Sequence, residues 1–249
     1  MIDIHSHIIY GLDDGSKSLE TSLEMLRLAA EAGTTDIVAT PHCNGEFQFQ
    51  PEVNRERIAE MQAQCAAGLR IHSGCDFHLS YENVEDAFRD PHKYTINGLN
   101  YLLVEFPDGA LIPNIGEVFE RLVGMGIVPI ITHPERNWMI QQNFETMEEW
   151  VKVGALVQVT GGSLTGRFGK PAQKFAVQTI DRGICHFIAS DAHDTRDRHP
   201  KLRSAYEIVQ GKWGEDLAER LFTENGKAVI EGAPIDRELP VKKKRWFFF

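Results

Sequence analysis

Histidine and carboxylate side chains recur in short motifs from one end of the chain to the other. The motifs read DIHSH at residues 3–7, DDG at 13–15, TPH at 40–42, GCD at 74–76, VEFP at 104–107, THPER at 132–136 and SDAH at 190–193. Imidazole nitrogens and carboxylate oxygens are ligands that divalent transition metals take from proteins. Since residues i and i+2 of a strand point to the same face, His5 and His7 can bind one ion. Asp191 and His193 have the same spacing, so both ends of the chain predict metal ligands.

The motifs follow β-rich runs, and amphipathic helical stretches separate those runs. The predicted strands cover residues 1–4, 36–40, 69–74, 101–106, 127–132, 155–160 and 184–190. His5 and Asp191 lie 186 residues apart over six such units, a mean step of 31 residues. A βα unit takes about 30 residues or a little more. Regular alternation of this kind predicts parallel strands.

Either an open doubly wound sheet or a closed seven-stranded barrel fits this alternation. We favour the barrel because every strand except the sixth ends near a candidate ligand, and a barrel gathers its strand ends into one ring. So many charged and polar groups in one ring are unfavourable without cations, which predicts two or three divalent ions. The donors are nitrogen and oxygen with no thiolate required, which suits Mn²⁺ first and Fe, Zn or Co as alternatives. The chain shows no linker or repeat, which indicates one domain over residues 1–240.

Composition excludes several classes of protein. The chain has 249 residues and a formal net charge of −10, with 42% apolar and 25% charged residues, as in ordinary globular domains. The acidic balance argues against a protein that binds nucleic acid through phosphates. No secretory signal and no apolar run near the length of a membrane span, about 20 residues, is visible. The four cysteines form no C-x-x-C pair, so we expect a cytoplasmic location.

Taken in order, these motifs resemble the PHP (polymerase and histidinol phosphatase) superfamily of metal-dependent phosphoesterases. Together with DDGSKS at residues 13–18, they resemble most the capsular and exopolysaccharide-type bacterial protein-tyrosine phosphatases. The resemblance implies an α/β fold, a distorted (β/α)7 TIM-like barrel, and a phosphoric monoester hydrolase. It also implies a substrate, phosphotyrosine on a membrane-associated bacterial tyrosine kinase that controls polysaccharide export.

The resemblance also implies which side chains act. The implied metal ligands are His5, His7, Asp14, His42, Asp76, Glu105, His133, Asp191 and His193. Asp14 is preferred to Asp13 on the resemblance alone. Asp76 stands where relatives usually have Glu, so one ion is expected to sit differently or bind more weakly. Arg136 and Arg198 match the phosphate-binding arginines of the family, and a guanidinium group can bind phosphate in a bidentate way.

The expected mechanism is attack on phosphorus by a hydroxide that bridges two ions. The leaving phenolate would take its proton from His193 or from a metal-bound water. A cysteine-based tyrosine phosphatase is excluded, because that mechanism needs Arg six positions after the nucleophilic Cys. From Cys43, Cys65, Cys75 and Cys185 that count reaches the residues Phe49, Ile71, Tyr81 and Asp191.

Other functions stay open at this stage. A small-molecule phosphatase, such as one for histidinol phosphate, would share the metal ring. A nucleic-acid exonuclease is disfavoured by the net charge, and a degenerate PHP scaffold would have lost ligands that this chain retains. The basic and aromatic tail at residues 241–249 fits a frayed terminus, contact with an anionic membrane surface, or docking of a partner. The oligomeric state is not readable from the sequence.

Overall fold

Parallel strands at seven positions form the wall of a barrel in the computed structural model, which describes residues 1–65, 67–107 and 114–236. The strands are β1 (Ile2–Ser6), β2 (Asp36–Ala39), β3 (His42–Cys43), β4 (Arg70–Ser73), β5 (Asp76–His78), β6 (Tyr101–Glu105), β7 (Val128–Thr132), β8 (Leu156–Thr160) and β9 (Phe187–Ala189). Every ladder between them is parallel. The prediction of parallel strands is therefore confirmed.

Nine strands fill seven positions because a second, short strand follows each of the second and third predicted strands after a break. One sheet has the order β1-β2-β4, and the other has the order β3-β5-β6-β7-β8-β9. Pro41 separates β2 from β3 and has no N–H to give to a ladder. Gly74 separates β4 from β5, and a Cβ there would lie 2.9 Å from Val38 Cγ1. The predicted strands at residues 36–40 and 69–74 match β2 and β4 to within one residue at each end, whereas the short strands β3 and β5 after them were not predicted.

The ring closes between the first and last strands. Ser6 forms a parallel bridge with Ala192, and the Asp191 backbone N–H donates to the His5 carbonyl at 2.9 Å. Apolar side chains from β1, β2, β6, β7, β8 and β9 pack together as one cluster. The breaks and this closure confirm the predicted distorted (β/α)7 barrel.

Helices connect the strands. They are α1 (Leu19–Glu31), α2 (Pro51–Gln64), α3 (Tyr81–Arg89), α4 (Ile115–Gly124), α5 (Trp138–Gln142), α6 (Phe144–Lys152), α7 (Gly161–Leu164), α8 (Gly169–Asp181), α9 (Arg203–Trp213), α10 (Glu215–Glu219) and α11 (Asn225–Glu231). Ser18 caps α1 by accepting from the Thr21 N–H at 3.3 Å. Buried Met25 and Leu26 give α1 an apolar face. Helices placed on the outside in this way leave the strand ends free to carry chemistry.

Two further observations concern membrane-spanning helices and the C-terminal end of the chain. Within residues 1–65, 67–107 and 114–236, no helix has the length and apolar character needed to cross a bilayer. The predicted tail at 241–249 lies outside the described residues, as does the end of the predicted domain at residue 240. One domain over 1–240 stays a prediction.

Candidate metal centre

All nine predicted ligands lie at the carboxyl ends of the strands, where the barrel brings them together. His5 lies in β1, His7 and Asp14 follow β1, His42 begins β3, Asp76 begins β5, Glu105 ends β6, His133 follows β7, and Asp191 and His193 follow β9. Most of these side chains are buried, whereas Asp14 is 53% exposed and faces the mouth of the site. The barrel therefore gathers residues that are up to 188 positions apart in sequence.

Strand register explains the closest contacts. His42 pairs in register with Asp76, and the residue two positions after Asp76 pairs with Glu105. The His42 Nδ1 atom lies 3.1 Å from Asp76 Oδ2 and 3.4 Å from Glu105 Oε2. His133 Nε2 lies 3.7 Å from Glu105 Oε1 on the next strand position. Adjacent strands thus present donors side by side.

The nine side chains form four overlapping groups in which all ligand atoms lie within 4.8 Å of one another. The groups are His7, Asp14, His42 and His193; His5, His7 and Asp76; His5, His133 and Asp191; and His42, Asp76 and Glu105. Each predicted ligand belongs to at least one group. Three or four nitrogen and oxygen donors at such distances suit a divalent transition metal.

Hydrogen bonds orient the two histidines of the first motif. The His7 Nδ1 atom donates to Asp13 Oδ2 at 2.7 Å, and His5 Nδ1 donates to Gln158 Oε1 at 2.9 Å. These partners leave the lone pair of each ring on Nε2. The two Nε2 atoms lie only 3.2 Å apart. Two lone pairs at that distance repel each other unless a cation or a proton lies with them, so this pair fits a metal.

Unsatisfied polar atoms point to the same conclusion. His42 Nδ1, Asp76 Oδ2 and His193 Nε2 are buried and have no hydrogen-bond partner among the described residues. Buried polar atoms of folded proteins almost always have partners, and a bound ion is one explanation of exceptions. Other buried atoms of the described residues also lack partners, but these three lie beside further predicted ligands, which supports metal binding at this site.

The buried carboxylates carry charge. Burial alone would raise the pKa of Asp76, but the nearby His5 and His42 hold it well below its ordinary value. The pKa of Asp191 is likewise lowered, with Arg136 and His5 outweighing burial. Burial alone would lower the pKa of His5, yet Asp76 and Asp191 raise it to about 9, so without a metal ion a proton takes the place of the cation on this ring. Ionised carboxylates in a buried site require positive charge beside them, which metal ions would supply.

Two of the predicted ligands have backbone conformations that are unusual for their residue types. His133 has a φ of 32° and Asp191 a φ of 50°. Left-handed conformations cost non-glycine residues about 1–3 kcal/mol and cluster at functional sites. Because β9 ends at Ala189, the strand spacing argument was wrong for Asp191 and His193. A turn, rather than an extended strand, brings those two side chains together, with His193 Nδ1 3.6 Å from Asp191 Oδ1.

The two predicted phosphate-binding arginines converge on one carboxylate oxygen. Arg198 Nη2 donates to Asp191 Oδ2 at 2.6 Å, and Arg136 Nη1 donates to the same atom. The Arg136 guanidinium also lies over the Phe168 ring, 4.6 Å from its centre. Both cationic groups thus lie at the edge of the metal centre, within reach of a single phosphate.

Sequence analysis missed several residues that support this centre. Asp13 was passed over for Asp14, yet it accepts from His7 and from the His42 N–H at 3.1 Å. Gln158 was missed on the one strand without a predicted ligand, although a single amide in the apolar run LVQVT was a usable signal. His78, which no motif indicated, has Nδ1 3.4 Å from Glu105 Oε2. Cys75, the neighbour of the candidate ligand Asp76, packs in an apolar cluster.

Comparisons with known proteins agree with this geometry. The family described as "Capsular polysaccharide synthesis, CpsB/CapC" matches residues 1–231. CapC of Staphylococcus aureus is 35% identical over 255 residues, covering 99% of each chain. The tyrosine-protein phosphatase YwqE of Bacillus subtilis is 33% identical over 255 residues, covering 100% of each chain.

A solved structure matches as well. It is one of the crystal structures of YwqE from Bacillus subtilis and CpsB from Streptococcus pneumoniae, described as unique metal-dependent tyrosine phosphatases. The match has a TM-score of 0.89 at 32% identity and covers 98% of this chain and 100% of that chain. The resemblance drawn from the sequence motifs is confirmed: the chain belongs to the CpsB/CapC family of capsular polysaccharide synthesis.

Proposed function

We propose that this chain is a metal-dependent protein-tyrosine phosphatase that acts on a tyrosine kinase of capsular or exopolysaccharide synthesis. The observation that carries the proposal is the ring of nine imidazole and carboxylate groups beside two arginines. YwqE and CpsB, which are similar over nearly the whole chain, are named tyrosine-protein phosphatases. Every ligand position that the sequence motifs indicated has a donor in the ring, which argues against a degenerate scaffold.

The four overlapping groups would hold two or three divalent ions. We assign as ligands His5, His7, Asp14, His42, Asp76, Glu105, His133, Asp191 and His193. Nitrogen and oxygen donors without a thiolate fit Mn²⁺, with Fe, Zn and Co as alternatives. Such ions supply positive charge for the phosphoryl group and lower the pKa of water towards neutrality. His5, His7, His42 and Asp76 each belong to two groups, so each of them could hold either of two neighbouring ions.

Arg136 and Arg198 would bind the phosphoryl oxygens. Their guanidinium groups already meet at Asp191 Oδ2, so a tetrahedral anion placed at that edge can accept from both. Contact with the Phe168 ring holds Arg136 in place. As negative charge moves onto the phosphoryl and leaving oxygens, these fixed cations stabilise the transition state.

His193 suits the role of ligand better than that of general acid. Its Nδ1 donates to the Asp191 carbonyl at 3.0 Å, which leaves the lone pair on Nε2. That Nε2 lies 3.3 Å from Asp14 Oδ1, inside the first metal group. Phenol has a pKa of about 10, so its anion is a tolerable leaving group without a strong acid beside it.

The partner and the compartment follow from this function. The substrate would be phosphotyrosine on a membrane-associated kinase. Contact of residues 241–249 with an anionic membrane surface would bring the enzyme close to such a kinase. A nucleic-acid substrate is disfavoured by the net charge of −10. The cytoplasmic location indicated by the cysteine pattern stays a prediction, as do the oligomeric state and any membrane contact.

The test is hydrolysis of a phosphotyrosine peptide, measured beside histidinol phosphate as Mn²⁺ is added. We expect strong turnover of the peptide, and we expect a chelator to abolish it. Orthovanadate, an inhibitor of cysteine-based phosphatases, serves as a control for that mechanism. Glu105→Gln is expected to remove that turnover, whereas Glu46→Gln, on an exposed loop residue, serves as the matched control.

Two results would contradict the proposal in different ways. Turnover of histidinol phosphate alone would retain the metals and the fold but assign the chain to small-molecule chemistry. Peptide turnover that survives the chelator would remove the metals from the mechanism. Full activity of the folded Glu105→Gln variant would refute the ligand assignment.

A further inference from the structure

A cavity of about 200 Å³ lies next to the metal centre, and we call it the basic cavity. Its walls include Gly162, Arg167, Phe168, Arg198, His199 and Lys201. Ser190, the residue before Asp191, also lines it. No predicted metal ligand lines the basic cavity, so it is a neighbour of the metal centre rather than a part of it.

The two phosphate-binding arginines separate the basic cavity from the metal centre. Arg198 lines the cavity and donates to Asp191 Oδ2 at 2.6 Å on its other side. Phe168 lines the cavity while its ring supports the Arg136 guanidinium at 4.6 Å. A peptide whose phosphate reaches these arginines therefore has its flanking residues close to the cavity.

Two hydrogen-bond donors of the basic cavity meet at the ring of His199. Arg167 Nη2 lies 3.1 Å from His199 Nε2, and the Lys201 backbone N–H lies 3.2 Å from His199 Nδ1. A neutral imidazole can accept on only one of its nitrogens, so one of these contacts sets a donor against a donor. An anion between these groups would provide the missing acceptor.

Two cations of the basic cavity lack a carboxylate within ion-pair distance. Among the described residues, no carboxylate forms an ion pair with Arg167 or Lys201. The Arg198 Nε atom is buried and has no hydrogen-bond partner among the residues that the structure describes. In a protein with a net charge of −10, two cationic groups without an ion-pair partner, beside a third whose carboxylate partner is Asp191 of the metal centre, favour an anionic ligand at this cavity.

The first turn of α9 adds to this field. Leu202, Ser204 and Ala205 line the basic cavity, and no side chain caps the N-terminus of this helix. The amino end of a helix carries partial positive charge and favours anions. This contribution has the same sign as that of the side chains and would strengthen their effect.

We infer that the basic cavity binds a second anionic group of the substrate peptide, a carboxylate or a phosphate that flanks the phosphotyrosine. The inference rests on the proposed tyrosine phosphatase function and deepens it. Arg167 and Lys201 are the specificity-determining residues, because their side chains belong to the cavity and have no contact with the metal groups. The enzyme thereby selects phosphotyrosine in an anionic sequence context.

The test compares peptides that differ at one position, from three residues before the phosphotyrosine to three after it. Each position carries Gln, Glu or a second phosphotyrosine in turn. We expect kcat/KM to rise about tenfold over Gln at the best position, since charge-assisted hydrogen bonds are the strong ones. Salt should reduce this ratio because exposed charges are screened. A higher kcat/KM for the Glu peptide than for the doubly phosphorylated peptide, or the reverse, shows whether the cavity binds a carboxylate or a phosphate.

Variants assign the preference to the basic cavity. Replacing both Arg167 and Lys201 by Ala should reduce the ratio to below about twofold, as expected when both charges are lost. The matched control is Arg55→Ala, an exposed arginine of α2, which should retain the wild-type ratio. If the double variant fails to fold, Lys201→Gln on an exposed side chain should still lower the ratio about threefold. Binding of a non-hydrolysable phosphonate peptide gives the same comparison without turnover.

The outcomes separate this inference from the function on which it rests. Equal kcat/KM for Gln, Glu and phosphotyrosine peptides would overturn the inference and leave the phosphatase function standing. A preference that persists unchanged in the double variant would also overturn it. Failure to hydrolyse any peptide, with Mn²⁺ present, would overturn the phosphatase function and the inference together.

Discussion

Asp13 offers the sharpest test of how this site is built, because it supports two predicted ligands without belonging to any metal group. Its Oδ2 atom accepts from His7 Nδ1 at 2.7 Å and from the His42 N–H at 3.1 Å. Its Oδ1 atom accepts from the Gly15 N–H at 2.9 Å. The perturbation is Asp13→Asn, which retains the shape and removes the charge.

The magnitude follows from these contacts. Asparagine has one carboxamide oxygen, so in either orientation at least one N–H donor faces an NH₂ group instead of an acceptor. Burial alone would raise the pKa of Asp13, but His7 and the backbone N–H groups hold it at about 2, so the native group is ionised. A hydrogen bond to a charged group is worth about 1.5–3 kcal/mol. We therefore expect Mn²⁺ affinity to fall about 10–100-fold, the usual loss when a group that orients a metal ligand is removed.

The assay is titration of the metal-free protein with Mn²⁺ by calorimetry, paired with turnover of a phosphotyrosine peptide at low and high Mn²⁺. Asp13→Asn should lose activity at low Mn²⁺ and regain most of it at high Mn²⁺. Asp14→Ala removes a candidate ligand, so this variant should not regain activity at high Mn²⁺. The matched control is Asp36→Asn, a buried carboxylate at the amino end of β2, which should lower the melting temperature and leave Mn²⁺ affinity unchanged.

Two results would refute the reasoning. Wild-type Mn²⁺ affinity in Asp13→Asn would show that the hydrogen bond to His7 does not orient that ring for metal. Recovery of Asp14→Ala at high Mn²⁺, with no recovery of Asp13→Asn, would reverse the roles of the two residues. Each variant should first be shown to be folded at the assay temperature, so that unfolding is not mistaken for lost affinity.

Three further predictions concern a candidate ligand, a tightly packed glycine and a buried carboxylate outside the site. His42→Ala should abolish peptide turnover while the circular dichroism spectrum stays native, and a fully active variant would contradict the assignment. A Cβ on Gly15 would lie 2.3 Å from the His7 carbonyl oxygen, so Gly15→Ala should weaken Mn²⁺ binding; Gly45→Ala, which meets nothing within 4 Å, should match the wild type in the same titration. Burial alone would raise the pKa of Asp36, but the arginine and histidine of β4 lower it from 3.8 to about 2. This group therefore stabilises the fold above about pH 4 and loses that effect towards pH 2, so Asp36→Asn should flatten the acid limb of the melting-temperature profile.

The convergence of the candidate ligands could be predicted because each lies in or just after a strand segment. A parallel barrel brings strand ends together whatever the intervening helices contain, so spacing and residue type were enough to propose His5, Glu105 and His133 as members of one site. The order and identity of the motifs then pointed to the family. The physical basis is that chemistry at strand ends leaves a periodic signal in the sequence.

Other features left no such signal. The breaks at Pro41 and Gly74 came from local backbone constraints that a run of β-forming residues conceals. The turn at Asp191, with its φ of 50°, places the side chain where an extended strand would not. The extended geometry assumed from spacing was therefore wrong there. The side chains of Asp191 and His193 nevertheless lie close together, as the spacing argument expected.

Supporting contacts were the least predictable part. Asp13 and Asp14 are adjacent and chemically identical, and only their surroundings distinguish them: one accepts from His7, and the other lies 3.4 Å from His42 Nε2. Gln158 meets His5 across 153 residues of sequence. The basic cavity depends on side chains from two separate loops, near Arg167 and near His199.

By itself, then, the sequence determined the residue types, their order after the strands, the parallel barrel they imply, and the family. These are properties of local pattern, in which each segment carries its own signal. The tertiary structure alone decided which oxygen faces which nitrogen, which of two aspartates supports a ring, and where cations are left without partners. Those properties depend on distances of about 3 Å between segments far apart in the chain, and only folding sets such distances.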